Sequence, residues 1–146
     1  MAPVFLDTNV TKLYYFPSFK YLHLVLKENV DYSLEAVTAD FLTINNLKKD
    51  ESIYVLLDMN DISFEHIPKE VMDFMANSEY EKYHIKIALI ASGLGQKLVG
   101  NFYLKMFKPE ANTKLFTSVR DAFKWFDFED QETKLKELDR ALQHNR

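Results

Sequence analysis

Asp58, Asp61 and Glu65 fall close together after an apolar run, and neighbouring carboxylates serve acid–base catalysis when their surroundings push their pKa values apart. Aspartates and asparagines at a strand exit are also ordinary turn formers, so the same residues fit a turn. His23, His66, His84 and His144 are scattered, with no His-Glu-x-x-His or other short ligand spacing, and no metal site is expected. Ser92-Gly93-Leu94-Gly95 stands where a helix starts and offers backbone N–H groups to an anion. It lacks the spacing of a P-loop or a dinucleotide fingerprint, and a structural strand-to-helix turn explains it as well. Gly-x-Ser-x-Gly is absent, so nothing marks Ser92 as a nucleophile. The chain has no cysteine, which excludes a disulfide, a thiolate metal site and a thiol nucleophile. No catalytic constellation emerges; the expectation is a protein that is not an enzyme and holds no cofactor.

Composition narrows the partners. The 146 residues carry a formal charge of −4 with lysines and arginines dispersed, so the attraction that drives nucleic-acid binding has no evident source. No apolar run approaches the roughly 18 residues that span a bilayer, and the start Met-Ala-Pro-Val-Phe-Leu-Asp has no basic region of a secretory leader. A cytoplasmic location follows as the expectation. A chain of this length buries about 70% of its unfolded surface as a single domain.

The elements that must position these residues are well punctuated. Residues 1–10 show no clear period and read as an arm. Thr11 to Phe16 and Lys20 to Lys27 read as strands joined at Pro17-Ser18, an antiparallel hairpin. The second has leucines 22, 24 and 26 on one face and Tyr21, His23 and Val25 on the other, as in a strand covered on both sides. Ser33 caps a first helix with a stripe of Leu34, Val37, Phe41, Ile44 and Leu47. Ser52 to Met59 is a strand, and Pro68 fits the first position of a second helix bearing Val71, Met72, Phe74 and Met75. Tyr83 to Phe116 reads as a right-handed βαβ unit. In it, Ile85 to Ala91 leads to a helix over Leu94 to Phe107 that buries Leu98, Phe102 and Met106, and Pro109 separates this helix from a strand at Thr113 to Phe116. Ser118 with Asp121 caps a fourth helix burying Val119, Ala122, Phe123 and Phe126. A charged fifth helix follows, and its thin stripe of Leu135, Leu138 and Leu142 lies across the domain or pairs with a second copy of the chain.

Two segments carry a family likeness. Leu57-Asp58-Met59-Asn60-Asp61-Ile62-Ser63-Phe64 is similar to the strand exit of anti-sigma-factor antagonists. The stretch Ile87 to Ser92, then Val99-Gly100-Asn101-Phe102-Tyr103-Leu104-Lys105 to Lys108-Pro109 and Thr113 to Phe116, resembles the SpoIIAA-like branch of the STAS superfamily. The likeness covers residues 11–127. It implies one α/β domain: an N-terminal antiparallel hairpin leading into a mostly parallel, helix-wound sheet of about five strands, preceded by the arm of residues 1–10 and followed by a charged helix over residues 128–146. It also implies a regulatory module that binds proteins or small ligands rather than transforming substrates. The family's phosphorylated serine or threonine follows an aspartate before the second helix; laid on this chain, that pair falls on His66 and Ile67, and isoleucine accepts no phosphate.

Ser63, Phe64, Glu65 and His66 would then lie beyond one strand and Ser92, Gly93, Gly95 and Gln96 beyond the next, where open α/β sheets bind. Together they form the expected docking rim for another protein, with Phe64 as anchor and Glu65 and His66 giving specificity. Singly, each has a plainer role in packing, turn hydrogen bonding or solvation. The aromatic load and Met72, Met75 and Met106 suggest the alternative, a carrier or sensor of a small apolar ligand held between sheet and helices.

Overall fold

The computed structural model describes residues 2–62, 67–78 and 83–145. Six strands form one sheet in sequence order: β1 (Val4–Asp7), β2 (Thr11–Phe16), β3 (Tyr21–Leu26), β4 (Ile53–Asp58), β5 (His84–Ile90) and β6 (Thr113–Phe116). β1, β2 and β3 pair antiparallel, while β3 to β6 run parallel, with Leu22 beside Val55, Val55 beside Ile87 and Ile87 beside Thr113. Parallel neighbours need crossovers, which α1 (Leu34–Lys48), α2 (Lys69–Asn77) and α3 (Leu94–Phe107) supply. α4 (Val119–Phe126) and α5 (Gln131–His144) complete the chain.

The residues before Thr11, expected as an arm, contain the sixth strand. Val4 and Leu6 pack against one core and Phe5 against the other, so both faces are partly covered and no apolar alternation marks the strand.

Helices cover both faces of the sheet. Side chains alternate along each strand: Leu13, Tyr15, Leu22, Leu24, Val55, Leu57, Ile87 and Leu89 join the core under α1, α2 and α3. Tyr14, Phe16, Tyr21, Leu56, Ala88 and Ile90 join a second core with α4 and α5. That second core is largely aromatic: the Tyr21 ring meets Phe123 edge-on at 5.0 Å and Phe128 at 5.8 Å. His23 is buried on this face, its Nδ1 2.6 Å from the Tyr21 hydroxyl, and desolvation lowers its pKa to about 3. Leu138 of α5 is buried here, with Leu135 and Leu142 packed beside it.

The helix starts follow their caps. Ser33 Oγ accepts from Ala36 N at 3.1 Å and Ser118 Oγ from Asp121 N at 3.2 Å. Pro68 stands at the N-cap of α2, one residue before its expected place. Two stripes depart from expectation. Leu34, placed on the buried stripe of α1, is exposed at the helix start. In α3, Leu98 and Met106 are also exposed, and the helix buries Val99, Gly100 and Tyr103 instead. Both α3 stripes recur at helical spacing, and Gly100 decides between them. A Cβ on Gly100 would lie 2.9 Å from Leu115 Cδ1 and 3.1 Å from Met59 Cε, so the helix approaches the sheet at a position that has no side chain.

Candidate functional site

The strand-exit rim is built from two loops that the fold brings together. Beyond β4, Asp58 Oδ1 accepts from Asn60 N at 2.9 Å, a local turn that aims the Asn60 side chain across the sheet. There Asn60 Oδ1 accepts from both Ser92 N, at 2.8 Å, and Ser92 Oγ, at 2.9 Å. Gln96, in the first turn of α3, donates from Nε2 to Ile62 O at 2.8 Å and to Asn60 O at 3.3 Å. Gly93 permits this, since a Cβ there would lie 2.2 Å from Gln96 Oε1. The loop after β4 and the loop after β5 are thus tied into one edge.

This geometry assigns ordinary work to several expected site residues. Ser92 and Gln96 cross-link the loops, and Gly93 makes room for the cross-link. Ser63, Phe64, Glu65 and His66 lie outside the described residues. Ile67 packs against the first core. Asn60 carries the linkage and was not singled out as a site residue; its signal was the Asp58-Met59-Asn60-Asp61 run at a strand exit.

Of the three carboxylates, Glu65 lies outside the described residues, and Asp58 and Asp61 flank the turn at the strand exit. Burial raises the Asp58 pKa, with Asp61 adding a smaller push in the same direction, while Asp58 is engaged with the Asn60 backbone. His84 lies under α1 with its ring stacked on Phe41 at 6.5 Å, and desolvation, with a smaller contribution from the Lys48 charge, lowers its pKa to about 4. His23 is on the opposite face of the sheet. Among the described residues, no group of three or more His, Cys, Asp or Glu comes together in a way that would hold a metal ion.

Beside the exposed polar residues Asn60, Asp61 and Ser92, α3 turns apolar side chains to solvent. Leu94, the first residue of α3, is 76% exposed; Leu98, one turn on, is 53% exposed; and Met106 is 61% exposed. With half-buried Phe102 these residues recur every four positions and form a row along the outer face of the helix. Single exposed leucines are common on protein surfaces, whereas a contiguous apolar row marks interaction sites.

A second feature lies beneath the helices. Between the sheet and α1 to α3 is a cavity of about 70 Å³, floored by Leu24, Leu57 and Leu89 and roofed by Val37 and Ile44. Asp40 lines it from the core face of α1, three residues after Val37 and four before Ile44. Its Oδ2 accepts from Thr11 Oγ1 at 2.7 Å and from Thr8 Oγ1 at 3.1 Å. Burial raises its pKa, and the two threonine hydroxyls oppose that shift. An aspartate at a core-facing helical position was a legible signal that the sequence reading passed over.

Comparison with known proteins places this architecture. The model of a family described as a domain of unknown function, DUF7793, matches residues 20–128, most of the sheet and its first four helices. The chain belongs to the DUF7793 family. No curated protein matches the DUF7793 chain. Among solved structures it is similar to an uncharacterised protein of the DUF3478 family with a SpoIIAA-like fold from Shewanella loihica PV-4. That match has a TM-score of 0.53 and 16% identity over 85% of this chain and 91% of the other. A protein of unknown function from Arthrobacter sp. FB24 matches at 22% identity over 75% of this chain and 94% of the other, with a TM-score of 0.28. The DUF7793 chain has the SpoIIAA-like fold that its strand-exit and βαβ segments implied. No helix among the described residues is long and apolar enough to cross a membrane.

Proposed function

We propose that the DUF7793 chain is a non-enzymatic regulatory module that docks another protein on the strand-exit rim and on the apolar row running from it along α3. The observation carrying this reading is the exposure of Leu94 and Leu98 beside a rim held rigid by Asn60, Ser92 and Gln96. A docking surface of this kind needs an apolar anchor on a fixed frame, with polar groups around it. The engagement of Ser92 and Asp58 in structural hydrogen bonds favours binding over catalysis at this edge. Ile67 in place of the phosphoacceptor removes the family's phosphate switch from the proposed mechanism.

The test is a Leu94→Asp, Leu98→Asp double variant used as bait in the source cell. Both side chains are exposed and the first lies at a helix N-terminus, where a carboxylate is favourable, so unfolding by denaturant should shift by less than about 0.5 kcal/mol. Partners retained by the wild type should be lost by the variant. Equal recovery of the same partners by both proteins would reject this surface.

A further inference from the structure

The outward side of α3 carries a second file of side chains beside its apolar row. Lys97, Asn101 and Lys105 recur at the same four-residue spacing, each three positions after Leu94, Leu98 or Phe102, so the two files lie side by side along the helix. Lys108, at the C-cap, extends the positive charge beyond the last turn. The helix contains no acidic residue, and among the described residues none of these three lysines is ion-paired. Lys105 and Lys108 suit the negative end of the helix dipole. Lys97 does not: its N–H closes the first helical bond, on Gly93 O at 3.0 Å, where a cation is unfavourable and acids are usual. In a chain of formal charge −4, an unneutralised basic file beside an apolar row runs against the composition.

We propose that the segment docked on α3 is an acidic amphipathic helix, with its apolar stripe on Leu94, Leu98 and Met106 and its carboxylates over Lys97 and Lys105. This names the partner chemistry for the docking reading above and rests on it. Helices are recognised by an apolar face laid against an apolar surface, and opposite charge beside that surface sets partner choice and register. The 14 residues of α3 extend about 21 Å, room for a partner helix of about four turns. An anionic bilayer is the other surface that takes a basic amphipathic helix, and the layout disfavours it. Helices that lie in a membrane keep their cations on the face opposite the apolar one. At 3.6 residues per turn, Lys105 instead projects between Leu94 and Leu98, in the middle of the exposed side. Asp61 is exposed at the rim end of the row, between the two residues whose carbonyls Gln96 holds, and its charge repels an anionic surface.

The probes are fluorescein-labelled helical peptides of about 18 residues, long enough to span α3, with one leucine stripe and Glu, Gln or Lys at the remaining positions. Full-length protein is titrated against each and followed by fluorescence anisotropy at low and at physiological salt. The expected result is saturable binding of the Glu peptide that weakens as salt rises, with the Lys peptide at least about tenfold weaker. A Lys97→Glu, Lys105→Glu double variant should reverse that order, a gain of Lys-peptide binding that an unfolded protein cannot produce. Leu94→Asp, Leu98→Asp should lose the Glu and Gln peptides. Equal binding of all three peptides by the wild type overturns the acidic partner, and loss of the Gln peptide from the leucine variant then shows docking on α3 to be intact. Undiminished binding of the Gln and Glu peptides by the leucine variant overturns the docking row as well. The proposal is also overturned by no binding of the Glu peptide up to about 1 mM. Tighter capture on phosphatidylserine vesicles that depends on Lys97 and Lys105, or a wild-type dimer that the leucine variant dissociates, overturns it in favour of a bilayer or a second copy.

Discussion

Two buried histidines should together contribute a loss of about 4 kcal/mol of stability when the pH falls from 7 to 5. His23 and His84 have folded pKa values of about 3 and about 4, against 6.5 in the unfolded chain. The folded pKa is the lower one in both cases, so the unfolded chain takes up the protons first. Stability is fully present above 6.5 and is lost as pH falls toward 4 for His84 and toward 3 for His23. Between pH 7 and 5 each contributes a loss of about 2 kcal/mol, from 1.36 kcal/mol per pH unit once the unfolded histidine is titrating. Asp40 and Asp58 act in the opposite sense, because their pKa values are raised and the folded state binds their protons first. Comparison with histidine variants removes that contribution. His23→Asn retains a group that can meet the Tyr21 hydroxyl, and His84→Asn leaves a neutral polar side chain under α1. Urea unfolding at several pH values should show each variant with a smaller loss than wild type by about 2 kcal/mol over this window, whatever its stability at pH 7. Variants that keep the full wild-type slope would refute the desolvation argument.

Ser118→Ala removes the acceptor that holds Asp121 N and should cost about 1 kcal/mol in denaturant unfolding. Phe123→Ala empties the centre of the aromatic core and should cost about 3–5 kcal/mol, seen as a drop in melting temperature of well over 10 °C if the domain unfolds in one step. Gly100→Val forces α3 away from Leu115 and Met59 and should destabilise by about 2–3 kcal/mol; a neutral result would mean that the helix does not depend on this close approach.

The elements were legible wherever local chemistry was decisive. Ser33, Ser118 and Pro109 delimit helices by hydrogen bonding or by its loss, and the α3 and β6 boundaries fall where the sequence placed them. The rotation of α3 was not legible, because Leu98, Phe102 and Met106 mark an apolar stripe as good as Val99 and Tyr103. Only the tertiary approach at Gly100 separates them. The rim was legible as a juxtaposition of two loops, since parallel strands put their exits on one edge. The Asn60 to Ser92 linkage was not, because it spans two loops whose alignment depends on sheet register. β1 escaped notice for a related reason: it packs on both faces, so it lacks the apolar alternation that identifies a strand.

The sheet's outermost strands, β1 and β6, are also its shortest, at four residues each. Each also carries a charge, Asp7 on β1 beside the Lys27 ammonium and Lys114 on β6 with its ammonium 5.5 Å from the Trp125 ring. Short, charged margins give an incoming chain few backbone groups to pair with, so sheet growth from one molecule to the next is disfavoured at both sides. Self-association by strand addition is therefore held in check at its two natural starting points. A sheet with so apolar an interior can then leave leucines on one helix in contact with water without the margins compounding the hazard.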